Sequence, residues 1–259
     1  MQQTCLIIYH SADHNVCETT LNTLRKVSSC KIIIFTDGLA SEITTRWQRL
    51  YNVEFVGIPD MAGRRALAKC LTVHKYIIEH KADEQILISD ADIYYLQDPF
   101  SAFKGNGWDI GLPQRFIKRL GINGGMWFAR PSDKLKAYLE HANRELQTPS
   151  DPYWQCYLQG LRRRGIVDWW IDQDWLNFIY SDQENIKNKW GVTIGDVPPE
   201  YNYSRFLDTP KDSKAAANAI LKWEHVAVHL KGTIKQIIYT ENLPLAITCH
   251  ERFTKKDWL

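Results

Sequence analysis

Short apolar runs, each stopped by a turn-forming residue, recur through the first third of the chain. Cys5–Tyr9 (CLIIY), Lys31–Thr36 (KIIIFT), Val53–Ile58 and Gln85–Ser89 (QILIS) are too short for buried helices, so each reads as a buried strand. Asp37-Gly38 ends the second and Pro59 closes the third. Between the runs, residues from about Cys17 to Val27 read as a helix. Gly63 to His80 reads as another, with Leu67, Leu71, Val73, Ile77 and Ile78 near helical spacing. Buried strands alternating with helices predict an α/β fold, a Rossmann-like domain with a mostly parallel central sheet covered on both faces. In the second half, Asp109–Leu112 and Met126–Ala129 read as strands, and Ser132 to Leu146 as a helix with Ser132 as its N-cap. Asp174–Tyr180 reads as a short helix and Val226–Leu230 as a last strand. The polar stretch Gln183 to Ala217, with Pro198, Pro199 and Pro210, reads as loop around short elements. No repeat or low-complexity linker divides residues 1–259, which read as one domain.

Composition narrows the class. A chain of 259 residues that is 44% hydrophobic can bury a full core. A net charge of +2 creates no general field for polyanions, which argues against nucleic acid as a partner. The six cysteines lack CxxC pairs and zinc-ligand spacing, and read as buried thiols in a reducing compartment. The start, Met-Gln-Gln-Thr before a short apolar run, lacks the basic region and long apolar stretch of a signal peptide. No window approaches the ~18 apolar residues of a membrane helix. A cytoplasmic protein is expected, in which the sequon Asn202-Tyr203-Ser204 is a chance match.

The strongest chemical signal is Leu87-Ile88-Ser89-Asp90-Ala91-Asp92-Ile93. Carboxylates at i and i+2 leave an extended chain on the same side. Here they stand where a buried strand ends, the edge at which open α/β sheets bind ligands. Such a pair suits a hard divalent cation shared with phosphate oxygens, although two aspartates also fit a turn that caps a strand. Other positions carry two readings each. Asp13 and Asn15 either cap a helix or contact a ligand after the first strand. Asn123 with Gly124 and Gly125 makes a tight turn or meets a sugar hydroxyl. Asp172 and Gln173 stand just before the predicted helix at Asp174, where an aspartate is ordinary. His229 ends an apolar run, and Gly232 and Lys235 follow it. Arg65 and Lys69, one helical turn apart, either neutralise phosphate or form a basic solvent face. Trp169-Trp170 could stack on a sugar or fill the core. Arg162-Arg163-Arg164 is a solvated face or a contact for an anionic lipid-linked acceptor.

Taken in chain order, these segments resemble those of GT-A-fold glycosyltransferases. The strand, Asp90-x-Asp92 and Asp98-Pro99 are similar to the family's metal-binding segment. Ala12-Asp13-His14-Asn15 falls where its nucleotide-contacting loop lies, and Asn123-Gly124-Gly125 is similar to its Asn-x-Gly near the donor sugar. Asp172-Gln173-Asp174-Trp175-Leu176-Asn177 resembles the Asp-Gln-Asp-x-x-Asn of the retaining group called family 8, which includes bacterial lipooligosaccharide galactosyltransferases and glycogenins. His229 to Lys235 fits its His-x-x-Gly-x-x-Lys, but Gln236-Ile237 stand where the family has Pro-Trp.

The resemblance implies Mn²⁺ (or Mg²⁺) on Asp90, Asp92 and His229. It also implies a nucleotide sugar, a UDP-sugar, contacted by Asp13, Asn15, Asn123, Gly232 and Lys235; Lys69, by its place on the helix before the metal strand, would meet phosphate if it faces the site. Asp172 would bind sugar hydroxyls, and Gln173 would lie near the anomeric carbon. Residues to about 100 would then form a nucleotide-binding half and about 101–240 an acceptor and catalytic half, with 241–259 a tail. The acceptor would be a glycan or a glycolipid, the latter giving peripheral contact with a membrane. An imidazole ligand favours Mn²⁺, since Mg²⁺ prefers all-oxygen shells. One rival is an inverting enzyme with Asp109, Asp168 or Asp172 as base. Another is a nucleotidyltransferase, whose Gly-rich loop His10–Asn15 does not provide. The absence of GxGxxG and GxxxxGK[ST] argues against dinucleotide oxidoreductases and P-loop NTPases. A lectin-like descendant would usually have lost one of the two carboxylates, and both are present.

Overall fold

The computed structural model describes residues 1–9, 14–59, 65–114, 122–150, 152, 154–156, 159, 167–202 and 226–229, and of residues 65, 167–172 and 174 the backbone alone. Four strands, β1 (Gln3–Tyr9), β2 (Lys31–Thr36), β3 (Val53–Gly57) and β4 (Gln85–Asp90), alternate with helices α1 (His14–Val27), α2 (Ser41–Tyr51) and α3 (Arg65–Glu79). All four are parallel, with β1 between β2 and β4. The chain then adds β5 (Ile93–Tyr95), a 3-10 helix (Pro99–Phe103), β6 (Ile110–Pro113) and β7 (Met126–Ala129). Helices α4 (Asp133–Gln147), α5 (Val167–Ser181) and α6 (Gln183–Trp190) lead to β8 (Ile194–Val197), a second 3-10 turn (Pro199–Asn202) and β9 (Ala227–His229). The central sheet has the order β3-β2-β1-β4-β7-β6-β8, in which β7 alone runs against its neighbours. β5 and β9 pair antiparallel as a separate ribbon.

The period of two along the strands sorts the core onto two faces. Leu6, Ile8, Ile33, Phe35, Ile86 and Ile88 pack with residues of α3, α4 and α5. Cys5, Ile7, Ile32, Ile34 and Leu87 pack with residues of α1 and α2 and with Phe100 and Phe103. Since β2 and β3 extend to one side of β1 and β4 to the other, the carboxyl ends of β1 and β4 flank a point where the strand order reverses. Ile8 pairs with Asp90 there.

Several expectations are corrected. α2 is not announced by apolar periodicity, because Trp47 and Tyr51 are its two buried residues. α5 begins at Val167, so residues 169–173 lie inside a helix rather than before one. The short elements expected in the stretch after Gln183 are α6 and β8. β5, three residues long, is too short for any period to register. Of the cysteines, Cys5, Cys17, Cys30 and Cys70 are buried thiols as expected, but Cys156 is exposed, and Cys249 lies outside the described residues. Among the described residues no helix is long and apolar enough to cross a membrane.

Candidate active site

β4 ends at Asp90 because the chain turns at Ala91-Asp92 before entering β5. The two carboxylates thus reach the same side through a turn and not along an extended strand. Each peptide of the turn is fastened. The Asp90 amide donates to the Gly125 carbonyl at 2.7 Å. The Ser89 hydroxyl donates to the Asp90 carbonyl at 2.8 Å and accepts from the Tyr95 hydroxyl at 2.7 Å. The Thr20 hydroxyl, on the buried face of α1, donates to the Ala91 carbonyl at 2.7 Å. Sequence reading gave no role to Thr20, Ser89 or Tyr95. The signal available for Thr20 was the presence of three threonines, Thr19, Thr20 and Thr23, on an otherwise apolar helix face.

The ribbon supplies the third group. His229 pairs with Ile93, and its Nε2 lies 3.0 Å from Asp92 Oδ1 and 3.7 Å from Asp90 Oδ2. Ligand atoms of Asp90, Asp92 and His229 all fall within 4.8 Å of one another. The imidazole is 2% exposed, whereas the Asp90 and Asp92 side chains are 29% and 19% exposed, so the cluster opens to solvent on its carboxylate side. Glycine at 125 makes room for it: a Cβ there would lie 2.1 Å from His229 Cε1, 2.2 Å from Nδ1 and 3.2 Å from Asp90 Oδ2. Two carboxylates and one imidazole, open on one side, suit a divalent cation that accepts nitrogen as well as oxygen. The residues present therefore fit the ion the motif implies.

Lys69 projects from α3 into this cluster. Its Nζ is 3.0 Å from Asp90 Oδ1, and the side chain is 15% exposed, which decides between the site-facing and solvent-facing readings. Gln173, in α5, spans the turn before β7: its Oε1 accepts from the Gly124 amide at 2.5 Å and its Nε2 donates to the Ile122 carbonyl at 2.7 Å. Asn177, one helical turn on, accepts from the Ile122 amide at 2.9 Å. Asn123 is fully buried, with its Nδ2 donating to the Asn202 carbonyl at 3.4 Å and its Oδ1 accepting from the Gly125 amide at 3.3 Å. Through these bonds the side chain braces the glycine turn. Asn15 is exposed in the first turn of α1. Two residues on, burial, and then the Glu18 and Asp92 carboxylates, push the Cys17 thiol well up, and the Thr20 bond to Ala91 holds this end of α1 against the turn that carries the aspartates.

Asp13, Gly232, Lys235 and Arg162–Arg164 lie outside the described residues, as do the side chains of Arg65, Asp168, Trp169, Trp170 and Asp172. Asp109, one of the bases considered for inversion, is not at the site. It precedes Ile110, which pairs with Ala129, which pairs in turn with Ile86 at the start of β4. At ~3.3 Å per residue that is more than ~10 Å along the strands from Asp90. Asp109 accepts from Ser132, Thr193 and Lys134 at 2.6–2.8 Å. Burial raises its carboxyl, but these hydrogen bonds outweigh burial and hold it below the ordinary carboxylate value. It ties β6 to α4 and β8.

With this geometry in place, kinship is clear. The chain belongs to the nucleotide-diphospho-sugar transferases, whose family model matches residues 79–236, a span that holds Asp90, Asp92, Gly125, Gln173 and His229. No curated protein matches the chain significantly. Its fold is that of GT-A glycosyltransferases. The apo-form glycosyltransferase GlyE of Streptococcus pneumoniae TIGR4 is similar, at 13% identity and a TM-score of 0.54 over 100% of this chain and 61% of GlyE. So is the galactosyltransferase LgtC, in complex with donor and acceptor sugar analogues, at 12% identity and a TM-score of 0.57, over 96% of this chain and 95% of LgtC. The chain thus spans less than two thirds of the length of GlyE.

Proposed function

We propose that the chain is a metal-dependent glycosyltransferase that moves a sugar from a nucleotide diphosphate, a UDP-sugar, to a glycan or glycolipid acceptor with retention at the anomeric carbon. The observation that carries this reading is the cluster of Asp90, Asp92 and His229 at the strand-order reversal, inside the span that matches the family. Asp90, Asp92 and His229 would hold Mn²⁺, which when bound neutralises charge on the departing diphosphate. Lys69 adds a compact positive charge at the same edge. Gln173 holds the turn at Gly124 in place through both ends of its amide. A neutral amide is a poor base and a poor nucleophile, so nothing about Gln173 favours inversion through a deprotonated acceptor. The acceptor hydroxyl would instead bond to the anomeric carbon on the face from which the diphosphate departs, passing its proton to a diphosphate oxygen. Asp172 would bind sugar hydroxyls, while Asp13, Asn15, Gly232 and Lys235 would contact the nucleotide. These assignments, and uridine as the base, rest on the motif resemblance.

The test is slow donor hydrolysis, which needs no knowledge of the acceptor. Sugar nucleotides are screened with Mn²⁺, and proton NMR follows the first sugar released from an α-linked donor. The expected result is Mn²⁺-dependent release of the α-anomer, abolished in Asp90→Asn and Asp92→Asn while their far-UV spectra stay unchanged. Equal activity in EDTA or in either variant would sink the metal assignment, and an initial β-anomer would replace retention with inversion.

A further inference from the structure

The carboxylate of Asp90 is divided between two partners. Oδ1 is in an ion pair with Lys69 at 3.0 Å, while Oδ2 faces the His229 imidazole at 3.7 Å. Lys69 thus pins the carboxylate so that one oxygen points at the cluster. The same ammonium also offsets one of the two negative charges, Asp90 and Asp92, that would attract a cation. Lys69 is largely withdrawn from water, at 15% exposed, so its ammonium is only partly screened from a cation that Asp90 would hold. A diphosphate arriving on the open carboxylate side reverses the balance, because its negative charge offsets the ammonium and supplies further oxygens.

On the function proposed above, which this step requires, we infer that Lys69 makes cation binding conditional on the nucleotide diphosphate. By holding positive charge against Asp90, it keeps the empty cluster a weak cation site. It gives up that opposition when the diphosphate is present, so cation and nucleotide bind as a coupled pair. The coupling is a free energy shared by both ligands, so it must be the same measured from either side. Lys69 acts here through Asp90 and the local charge, and no bond to the reacting atoms is needed.

The test is Mn²⁺ affinity by electron paramagnetic resonance and calorimetry, without nucleotide and with saturating UDP or GDP, whichever shifts the wild-type value more. Lys69→Met should bind Mn²⁺ alone about tenfold more tightly than wild type, and the nucleotide-induced gain should shrink by a similar factor. The effect of Mn²⁺ on nucleotide affinity should shrink equally. Lys69→Arg, which keeps the charge, should retain the wild-type coupling, and Lys69→Gln should follow Lys69→Met. Thermal melts identify folded variants. Unchanged or weaker binding of Mn²⁺ alone in folded Lys69→Met and Lys69→Gln, with wild-type coupling, overturns the inference while leaving the metal site standing. No Mn²⁺ binding by wild type with either nucleotide overturns the metal reading and this inference together.

Discussion

The His229 ring lies so close over Gly125 that the smallest side chain at that position must move it. The ring cannot yield inward, since it is 2% exposed and held among packed neighbours, so it must leave the two carboxylates. Gly125→Ala should therefore weaken combined Mn²⁺ and UDP binding at least tenfold, as read by titration calorimetry, while far-UV circular dichroism stays native. Wild-type affinity in that variant would show that the ring is free to shift without cost. Position 125 was legible in sequence only as half of a glycine pair before a strand. That it makes room for an imidazole 104 residues further on could not be read, because the contact is between segments with no local pattern in common. Lys69 was legible as a basic residue on the right helix, but periodicity cannot tell which neighbour a helical side chain faces. Asn123 was legible as a polar residue beside glycines, but its bracing of the turn through Gly125 and Asn202 depends on a segment far along the chain.

At the scale of elements, the turn between β4 and β5 depends on a helix that contributes no ligand. Thr20 is fully buried on α1, and its hydroxyl reaches the Ala91 carbonyl at 2.7 Å. Thr20→Val keeps the shape and leaves that carbonyl without its donor, at a cost of about 1–3 kcal/mol. Urea denaturation should show a loss in this range, with weaker nucleotide binding because Asp90 and Asp92 lose their shared anchor. A variant of unchanged stability would mean that the carbonyl finds another donor. The strands of the parallel half were legible because burial on both faces writes continuous apolar runs such as Lys31–Thr36, and Ser132 announced α4 by accepting from the Leu135 amide as an N-cap should. α5 was read too short, since its indoles and β-branched residues mask helical periodicity, and the extra turns carry Gln173 into the helix. β9 was legible as the apolar run Val226–Leu230, whereas β5 has three residues and exists through its pairing with β9 rather than through local propensity.

At the scale of the molecule, His74 joins the three helices that cover one face of the sheet. It lies on α3, its Nδ1 is 2.6 Å from Asn143 Oδ1 on α4, and its ring packs 4.3 Å from that of Trp175 on α5. Burial lowers its pKa from 6.5 to about 4, against a smaller raising effect of the Asn143 hydrogen bond. Its folded pKa is thus depressed. Between pH 6.5 and about 4 the unfolded chain binds a proton that the folded chain refuses. The stabilisation is therefore complete above pH 6.5 and is lost as pH falls toward 4. His74→Gln should be less stable at neutral pH and show a flatter decline across this window in urea titrations at several pH values. Equal slopes for both proteins would mean that His74 is protonated in the fold.

The pairing of β5 with β9 also sets an order for synthesis. β1 to β4 are all complete by Asp90, so this half of the sheet can form early on a chain emerging from the ribosome. His229 arrives only with the last of the described strands, and closing so long a loop is slow compared with local pairing. A nascent chain halted before β9 would thus carry the sheet and both aspartates but no imidazole beside them. Translation itself would keep the three-residue cluster from closing on incomplete copies.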